Sequence, residues 1–495
     1  MHTRLASFAS LLGPRASSDE GRALNRSALW APAITLALAV LATAPEARAA
    51  GPLGPEGSPI TTSSYTIDFF TGPVVSSARV TALGGAFSGI AEGVDADPIN
   101  VAAPAIRVPW SYSWFDYDVT LGVSLPGIFS YSDFENAGDG GYRYDPFYVP
   151  SAGLNLLFGR TALGVYADNR RYSLSLEADG DQEKESFAAS FYNVHVLLAR
   201  AFWRGQLAAG LGMRIISFDL ENQATRAKRL SLSGVGAETG VLLAPTGCRW
   251  RLGVTARLPV SAVPSAGDLQ PDEKGDLIGP GGFYLPKSVQ LPWEVEAGFA
   301  IDLGERPLNP EWANPTEYDR ALRAEISRAR SIRSAKALPR GEERKLRLEE
   351  EERLDSHLDD LYDRRKLAFR QMSRRRFLLT GSVLLSGAVG DAVGTLSMLQ
   401  QTVARSGVSV SVTPRLGLEA EPLPHWLQLR MGGYLEPSRL VEASSRLHFT
   451  TGFDVKVLPW SVFGLYSEGT WWSVGAVLDV AKRYTNLSFR LGVWH

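Results

Sequence analysis

The residues able to do acid–base or nucleophilic chemistry are thinly spread along this chain. His195, His357, His425, His448 and His495 share no spacing that would close around a metal ion. Hydrolysis of an acyl ester needs a serine within reach of a histidine that a third polar group holds in place. The sequence offers one such pairing, His448 with Ser409 or Ser411 on a neighbouring segment. A histidine facing a polar interior more commonly just lines it, so the chain is read as not an enzyme, with no cofactor and no metal site. The single cysteine, Cys248, leaves no intrachain disulfide. A net charge of −2 at pH 7 gives no reason to expect a nucleic-acid partner.

The elements that position these residues are strands. Leu447, Phe449, Thr451, Phe453, Val455 and Val457 fall on one face, and His448, Thr450, Gly452, Asp454 and Lys456 on the other. A period of two, held over strands long enough to cross a bilayer, marks a transmembrane β-barrel. The final segment repeats it, with Leu487, Phe489, Leu491 and Val493 opposing Asn486, Ser488, Arg490 and Gly492. Pairing that last strand with the first would satisfy its edge without water, as a lipid environment requires. In the same register Arg251, Arg257, Glu294, Glu296, Arg415, Glu419, Arg430, Asp454, Lys456 and Arg490 join His448 on the lumen side. They either pair across the interior or line a route through it. The 48 glycines and 12 tryptophans, with 45% hydrophobic residues, suit a wall whose lumen face dilutes its lipid face.

Connection lengths give the topology. Gly159-Arg160, Trp203-Arg204-Gly205, Pro245-Thr246-Gly247 and Glu421-Pro422-Leu423-Pro424 are short, whereas 132–149, 177–185, 221–227, 261–288 and 436–445 are long and polar or glycine-rich. Such barrels have short periplasmic turns, long outer loops and an even strand count, here about fourteen. Weaker strands are expected at 107–131, 150–159, 161–176, 186–202 and 228–244. The barrel then occupies 107–303 and 373–495. Residues 304–372 are dense in Arg, Glu and Lys; Tyr318, Leu322 and Ile326 at helical spacing, a break at Pro339-Arg340-Gly341, and Leu354, Leu358 and Leu361 on one stripe predict a helical hairpin on the periplasmic side. Ser373-Arg374-Arg375-Arg376-Phe377 mimics a twin-arginine export signal, but in mid-chain it cannot be read as one. For 377–399 a strand followed by a loop helix is expected rather than a membrane helix, given Asp391 and the glycines. Residues 1–49 read as a signal peptide with a long leader, cleaved after Ala49 or Ala50 at Ala47-Arg48-Ala49. The general secretory route and the outer membrane of a Gram-negative bacterium follow.

Ser77-Ala78-Arg79-Val80-Thr81-Ala82-Leu83-Gly84-Gly85-Ala86-Phe87-Ser88-Gly89, then Ala91-Glu92-Gly93-Val94-Asp95-Ala96-Asp97 and Asn100, resemble the opening of FadL-type outer-membrane transporters for long-chain fatty acids and other hydrophobic compounds. Leu291-Pro292-Trp293-Glu294 resembles a Pro-x-Glu element of that family. The likeness is specific over about thirty residues near 76–106. It implies a fourteen-stranded barrel plugged by an N-terminal hatch, here 51–106, with ligand entering from outside and leaving by diffusion. Gly84, Gly85, Phe87, Asn100 and Pro104 are then the candidate gating or ligand residues, and small residues suit a backbone that turns tightly in a crowded lumen. Phe147, Tyr148, Ile278, Phe283, Tyr284 and Leu285 in the outer loops are candidates for an apolar pocket. Two departures stand out: Asn100-Val101-Ala102-Ala103-Pro104-Ala105 interrupts the family's Asn-Pro-Ala element, and the helical insertion lies outside its pattern. The expected role is passive uptake of hydrophobic small molecules by a porin-like monomer, with outer-membrane lipid and the ligand as partners. The alternative is a scaffold or secretion-associated barrel that docks a periplasmic partner through 304–372.

Overall fold

A computed structural model describes residues 53–70, 72–107, 114–129, 133–136, 142–176, 186–223, 226, 228–263, 272–279, 283–310, 315–334, 339–373, 375–441, 443–461 and 471–494. The leader and its cleavage site lie outside them.

Fourteen antiparallel strands close into a barrel. In chain order they are β1 (Phe115–Pro126), β2 (Tyr142–Phe158), β3 (Thr161–Leu176), β4 (Ser186–Phe202), β5 (Leu207–Asn222), β6 (Lys228–Leu243) and β7 (Trp250–Arg257). They continue with β8 (Glu294–Asp302), β9 (Phe377–Ser386), β10 (Ser411–Leu423), β11 (Leu427–Glu436), β12 (Arg446–Pro459), β13 (Trp471–Ala481) and β14 (Tyr484–Val493). The last strand does pair with the first: Leu491 sits opposite Leu121, and the Ser124 and Ser488 hydroxyls meet at 2.8 Å. The alternation holds as expected, with Phe449 66% exposed on the outside and its neighbour His448 fully buried within. Trp114, Phe115, Phe158, Phe202, Trp203 and Trp426 stand exposed at the end that carries the short turns, as in the aromatic girdle of a membrane interface. No described helix is long and apolar enough to cross a membrane.

The wall is uneven. Strands β2 to β6 run 16 or 17 residues, whereas β7 has 8 and β8 has 9. Here the expectation needs correcting: β2 begins at Tyr142, so much of the outer loop expected at 132–149 is strand, and Phe147 faces the interior. The two prolines, Pro146 and Pro150, blur the alternation that would have shown it. The first strand is likewise narrower than the expected 107–131. Over the low side a cap is built from Thr66–Asp68, Val260–Ala262, Ser288–Leu291 and Ala392–Val393. These form one sheet in which Thr66–Asp68 pairs in parallel with both of its neighbours. The N-terminal segment is therefore two things, not the single plug expected at 51–106. Residues 53–70 belong to the outer cap, and only 72–106 run through the lumen.

Helix α1 (Ala78–Ala82) lies in that lumen segment. The charged insertion forms α2 (Pro315–Tyr318), α3 (Arg320–Ser334) and α4 (Arg340–Gln371), with Pro339 at the start of α4. It folds back on itself: Tyr318 stacks on His357 at 4.6 Å, Arg330 reaches Glu350 at 2.6 Å, and Arg353 reaches Glu325 at 3.2 Å. It leaves the barrel between β8 and β9, at the short-turn end. Residues 377–399 split as expected into strand β9 and a loop helix, α5 (Thr395–Gln400).

The plugged lumen as candidate functional site

The hatch is almost all small residues and backbone, and the wall supplies what such a backbone lacks. Ser77 caps α1 by accepting from the Val80 amide, and Gly84 and Gly85 then turn the chain at φ of +61° and +77°. A buried carbonyl without a donor is costly, and here the donors come from wall side chains. Thr450 donates to Ala82 O at 2.8 Å, Thr380 to Ala86 O at 2.7 Å, and Arg251 to Ile90 O at 2.7 Å. Arg257 donates to Pro98 O and Ile99 O at 2.6 and 2.8 Å. The Val74 amide donates to the Tyr434 hydroxyl at 3.0 Å.

Close approach is permitted by a ring of inward-facing wall glycines. A methyl group on Gly432 would lie 2.5 Å from the Leu83 carbonyl carbon, one on Gly417 2.8 Å from Leu83 O, and one on Gly164 2.7 Å from Pro104. Gly210 stands against Val101 and Gly253 against Ser88 in the same way, with the hatch backbone where a side chain would otherwise be. A glycine in a strand reads as a weak point in sequence, so this ring was not foreseen.

The five hatch candidates all lie in this tight fit. Gly84 abuts the Gly433 backbone, Phe87 is wholly buried beneath the Arg79 guanidinium at 5.1 Å, and Pro104 packs over Gly164. Asn100, also wholly buried, donates from its amide to Ser88 O at 2.9 Å and accepts from the Ala102 amide at 3.0 Å. It ties the hatch to itself.

The candidate lumen charges are brought together in two belts. Toward the short-turn end Glu419 accepts from Arg430 at 2.6 Å and from Arg79 at 3.1 Å, and Arg376 lies 3.1 Å away. Arg430 also reaches Asp454 at 2.7 Å, Arg490 reaches Asp95 at 2.9 Å, and Arg251 reaches Glu92 at 3.0 Å. The hatch residues Arg79, Glu92 and Asp95 were not among the expected charges. Arg376 was set aside with the export-like motif, although it lies on the inward parity of β9. The second belt holds Arg214 and Arg257 on Glu294, Arg415 on Glu296, and Arg170 on Asp168. Lys456 pairs with Ser473 near the short-turn end of β12, and its ammonium lies 4.1 Å from the centre of the Trp471 ring. Both ring nitrogens of His448 are engaged by carboxylates, Asp479 at 2.9 Å and Glu436 at 2.6 Å, so no serine–histidine pair forms there.

Above the second belt the inner wall turns apolar. Phe147, Phe187, Phe191, Phe218, Leu230 and Leu232 face inward from the tall strands and pack on Tyr65 and Phe69 of the N-terminal segment. Phe69 lies 4.7 Å from Phe191 and 5.0 Å from Phe218. Of the expected loop contributors, Phe147 is buried in this layer, Phe283 and Tyr284 pack at its margin, Leu285 is buried outside it, and Tyr148 faces outward. In the outer loop, burial pushes the Glu135 carboxyl up to about 7, against opposing hydrogen bonds from Leu396 and Thr395.

No protein-family model and no curated protein matches the sequence. Among solved structures the chain is similar to the CymD monoaromatic hydrocarbon channel, with 10% identity over 86% of this chain and 97% of that one, and a TM-score of 0.44. It is similar to the toluene transporter TodX of P. putida, with 9% identity over 84% and 97% and a TM-score of 0.45. A FadL homologue of Pseudomonas aeruginosa is matched at 10% identity over 88% and 99%, with a TM-score of 0.44.

Proposed function

We propose that this chain is an outer-membrane barrel of a Gram-negative bacterium through which small hydrophobic molecules pass inward without an energy source. The observation that carries the reading is the apolar inner wall of the outer half, Phe187, Phe191, Phe218, Leu230 and Leu232 above all. A salt-conducting pore keeps its lumen polar and wet, whereas an apolar lining lowers the cost of bringing in a molecule that water rejects. The resemblance of 76–106 to FadL-type hatches supports the same reading, as do the charged belts and glycine ring that hold the hatch in place. Passage then proceeds past the hatch by local movement, since the cap segment that leads into it, 66–68, is an inner strand of the cap sheet.

The test is reconstitution in liposomes. Toluene should partition into protein-containing vesicles faster than into protein-free ones, with little salt current across planar bilayers. Ohmic conductance through an open, water-filled lumen would overturn the reading. A second reading, a barrel that docks a periplasmic partner, is favoured by one observation: the α3–α4 hairpin is held by its own ion pairs and leaves Ile332, Leu348 and Leu367 exposed.

A further inference from the structure

The outward face of the tall strands carries an arginine set between two tyrosines. Arg171 of β3 is exposed and lies opposite Tyr148 of β2 in the ladder. Its Nη2 donates to the Tyr192 hydroxyl of β4 at 2.8 Å, and its Nη1 lies 3.5 Å from the Tyr148 hydroxyl. The guanidinium carbon stands 6.0 Å from the centre of the Tyr192 ring. Height follows from the strands. Tyr192 lies ten positions from Phe202 along β4, and Tyr148 ten from Phe158 along β2, both phenylalanines belonging to the girdle at the short-turn end. At ~3.3 Å per residue and a tilt of about 40°, ten residues climb about 25 Å, the height of the apolar band of an outer-membrane barrel. The two tyrosines therefore mark the opposite interface, at the end that carries the long loops.

This cluster offers donors and a positive charge. A tyrosine hydroxyl that accepts from a guanidinium keeps its own proton to give, and neither hydroxyl donates to another described residue. Among the described side chains no carboxylate pairs with Arg171. The next outward charge along its row, through Ser190, is Asp219 of β5, two strands on and already held by Lys228 at 3.3 Å and Ser231 at 2.7 Å. The surroundings are sorted by polarity. On the membrane side Leu163, Val165, Val196 and Leu198 are exposed. On the other side the outward positions of β3 and β4 turn to small residues, Ser173, Ser186, Ala188 and Ser190. A cation and two hydroxyls at the boundary between an apolar wall and a hydroxyl-bearing one match the phosphate of a lipid, since arginine forms its strongest hydrogen bonds with such oxygens.

We propose that Arg171, Tyr148 and Tyr192 form a docking site for a phosphate of the phosphorylated glycolipid that makes up the outer leaflet of a Gram-negative outer membrane. Its acyl chains lie along Leu163, Val165, Val196 and Leu198, and its sugars face Ser173, Ser186 and Ser190. The serines select it over a glycerophospholipid, because their hydroxyls stand beyond the phosphate, where a glycolipid has sugars and a phospholipid has only a small headgroup. The assignment rests on the barrel lying in an outer membrane and takes nothing from what passes through its bore.

The experiment uses the full mature protein, stripped of lipid in detergent and titrated with bis-phosphorylated lipid A, dephosphorylated lipid A and phosphatidylglycerol, the bound copies being counted by native mass spectrometry. One bis-phosphorylated lipid A per barrel is expected, its affinity reduced about tenfold in Arg171→Gln. Tyr192→Phe, which keeps the ring and loses the hydroxyl, should fall between that variant and the unaltered protein. Arg200→Gln should bind as the unaltered protein does; this arginine is exposed toward the other interface, 5.9 Å from the centre of the Phe202 ring. Heat-modifiable gel mobility checks that each variant is folded. Equal binding of dephosphorylated lipid A or of phosphatidylglycerol, unchanged affinity in folded Arg171→Gln or Tyr192→Phe, or an equal loss in Arg200→Gln overturns the site. Toluene passage without lipid A binding removes the site and leaves the route; lipid A binding without toluene passage keeps the site and removes the route.

Discussion

Gly432→Ala tests whether the glycine ring holds the hatch. The added methyl would stand 2.5 Å from the Leu83 carbonyl carbon and 2.6 Å from Gly84 N, so the hatch turn has to retreat by the difference between these and the 3.4 Å of ordinary contact. The turn has little slack, because a methyl group on Gly84 would likewise lie 2.8 Å from Gly433 N, and Gly84 and Gly85 sit at φ of +61° and +77°. Inserting a methyl into such packing costs about 1–3 kcal/mol. The cost falls on the docked hatch more than on the barrel, whose ladder from β10 through β12 does not depend on it. It corresponds to a rise of roughly 5- to 150-fold in the undocked fraction. Hydrogen exchange of the amides in 80–100 should accelerate by that factor, while the strand amides and the gel mobility of the folded barrel stay unchanged. Met431→Ala, on the outward face of the same strand, should leave hatch exchange as it is. Unaltered hatch exchange in a folded Gly432→Ala protein, or equal acceleration in both variants, refutes the argument that wall glycines set the fit.

Three further outcomes are expected. Glu419→Gln leaves Arg79, Arg376 and Arg430 without their shared carboxylate; breaking a buried pair from one side costs about 3–5 kcal/mol, read as a lower urea midpoint for loss of the heat-modifiable form, and an unchanged midpoint counts against the belt as a structural element. Glu135 has its folded pKa raised from 4.5 to about 7 by burial, so the unfolded loop releases its proton first and the loop loses stability as pH rises through that window. Exchange of the α5 amides, corrected for intrinsic rates, should quicken between pH 5 and 8 in the native protein and not in Glu135→Gln; parallel profiles would refute the assignment. Replacing residues 311–372 by a short Gly-Ser linker should leave a folded barrel with unchanged toluene passage. The ion pairs of the hairpin are largely internal, and Leu308 and Asn309, which engage Arg251, are retained; loss of passage would tie the hairpin to transport, and loss of a pulled-down partner alone would favour the docking reading.

Much of the architecture was legible because lipid and lumen impose opposite demands on alternate residues. The run from Leu447 to Val457 and the run from Asn486 to Val493 fix membrane, register and closure together, and alternating loop lengths extend them to fourteen strands. Pro339 and the Tyr318, Leu322 and Ile326 spacing sufficed for the hairpin. The cap was hidden because its strands are two to four residues long, below the length at which a period shows, and because Thr66 meets Ser288 across 222 positions. The inward parity shared by Arg251, Glu294 and Arg430 extends to Arg376, whose neighbours resemble an export signal. Arg79 and Glu92 carry no periodic signal at all. They are part-buried only because the barrel wraps the segment that holds them.

The pairing of Thr66–Asp68 with Ser288–Gln290 and Ala392–Val393 also dictates an order of assembly. The hatch is made early in the chain, yet its cap partners at 288–290 and 392–393 and two of the glycines that cradle it, Gly417 and Gly432, are made much later. Contacts so distant in sequence form slowly, and the hatch has nowhere to dock before the wall exists. The hatch therefore completes its docking only once the late strands are in place. A variant stalled at that step is a normally abundant, correctly folded wall that leaks, so its signature in a cell is sensitivity to detergents and bulky antibiotics, with no fall in the amount of protein.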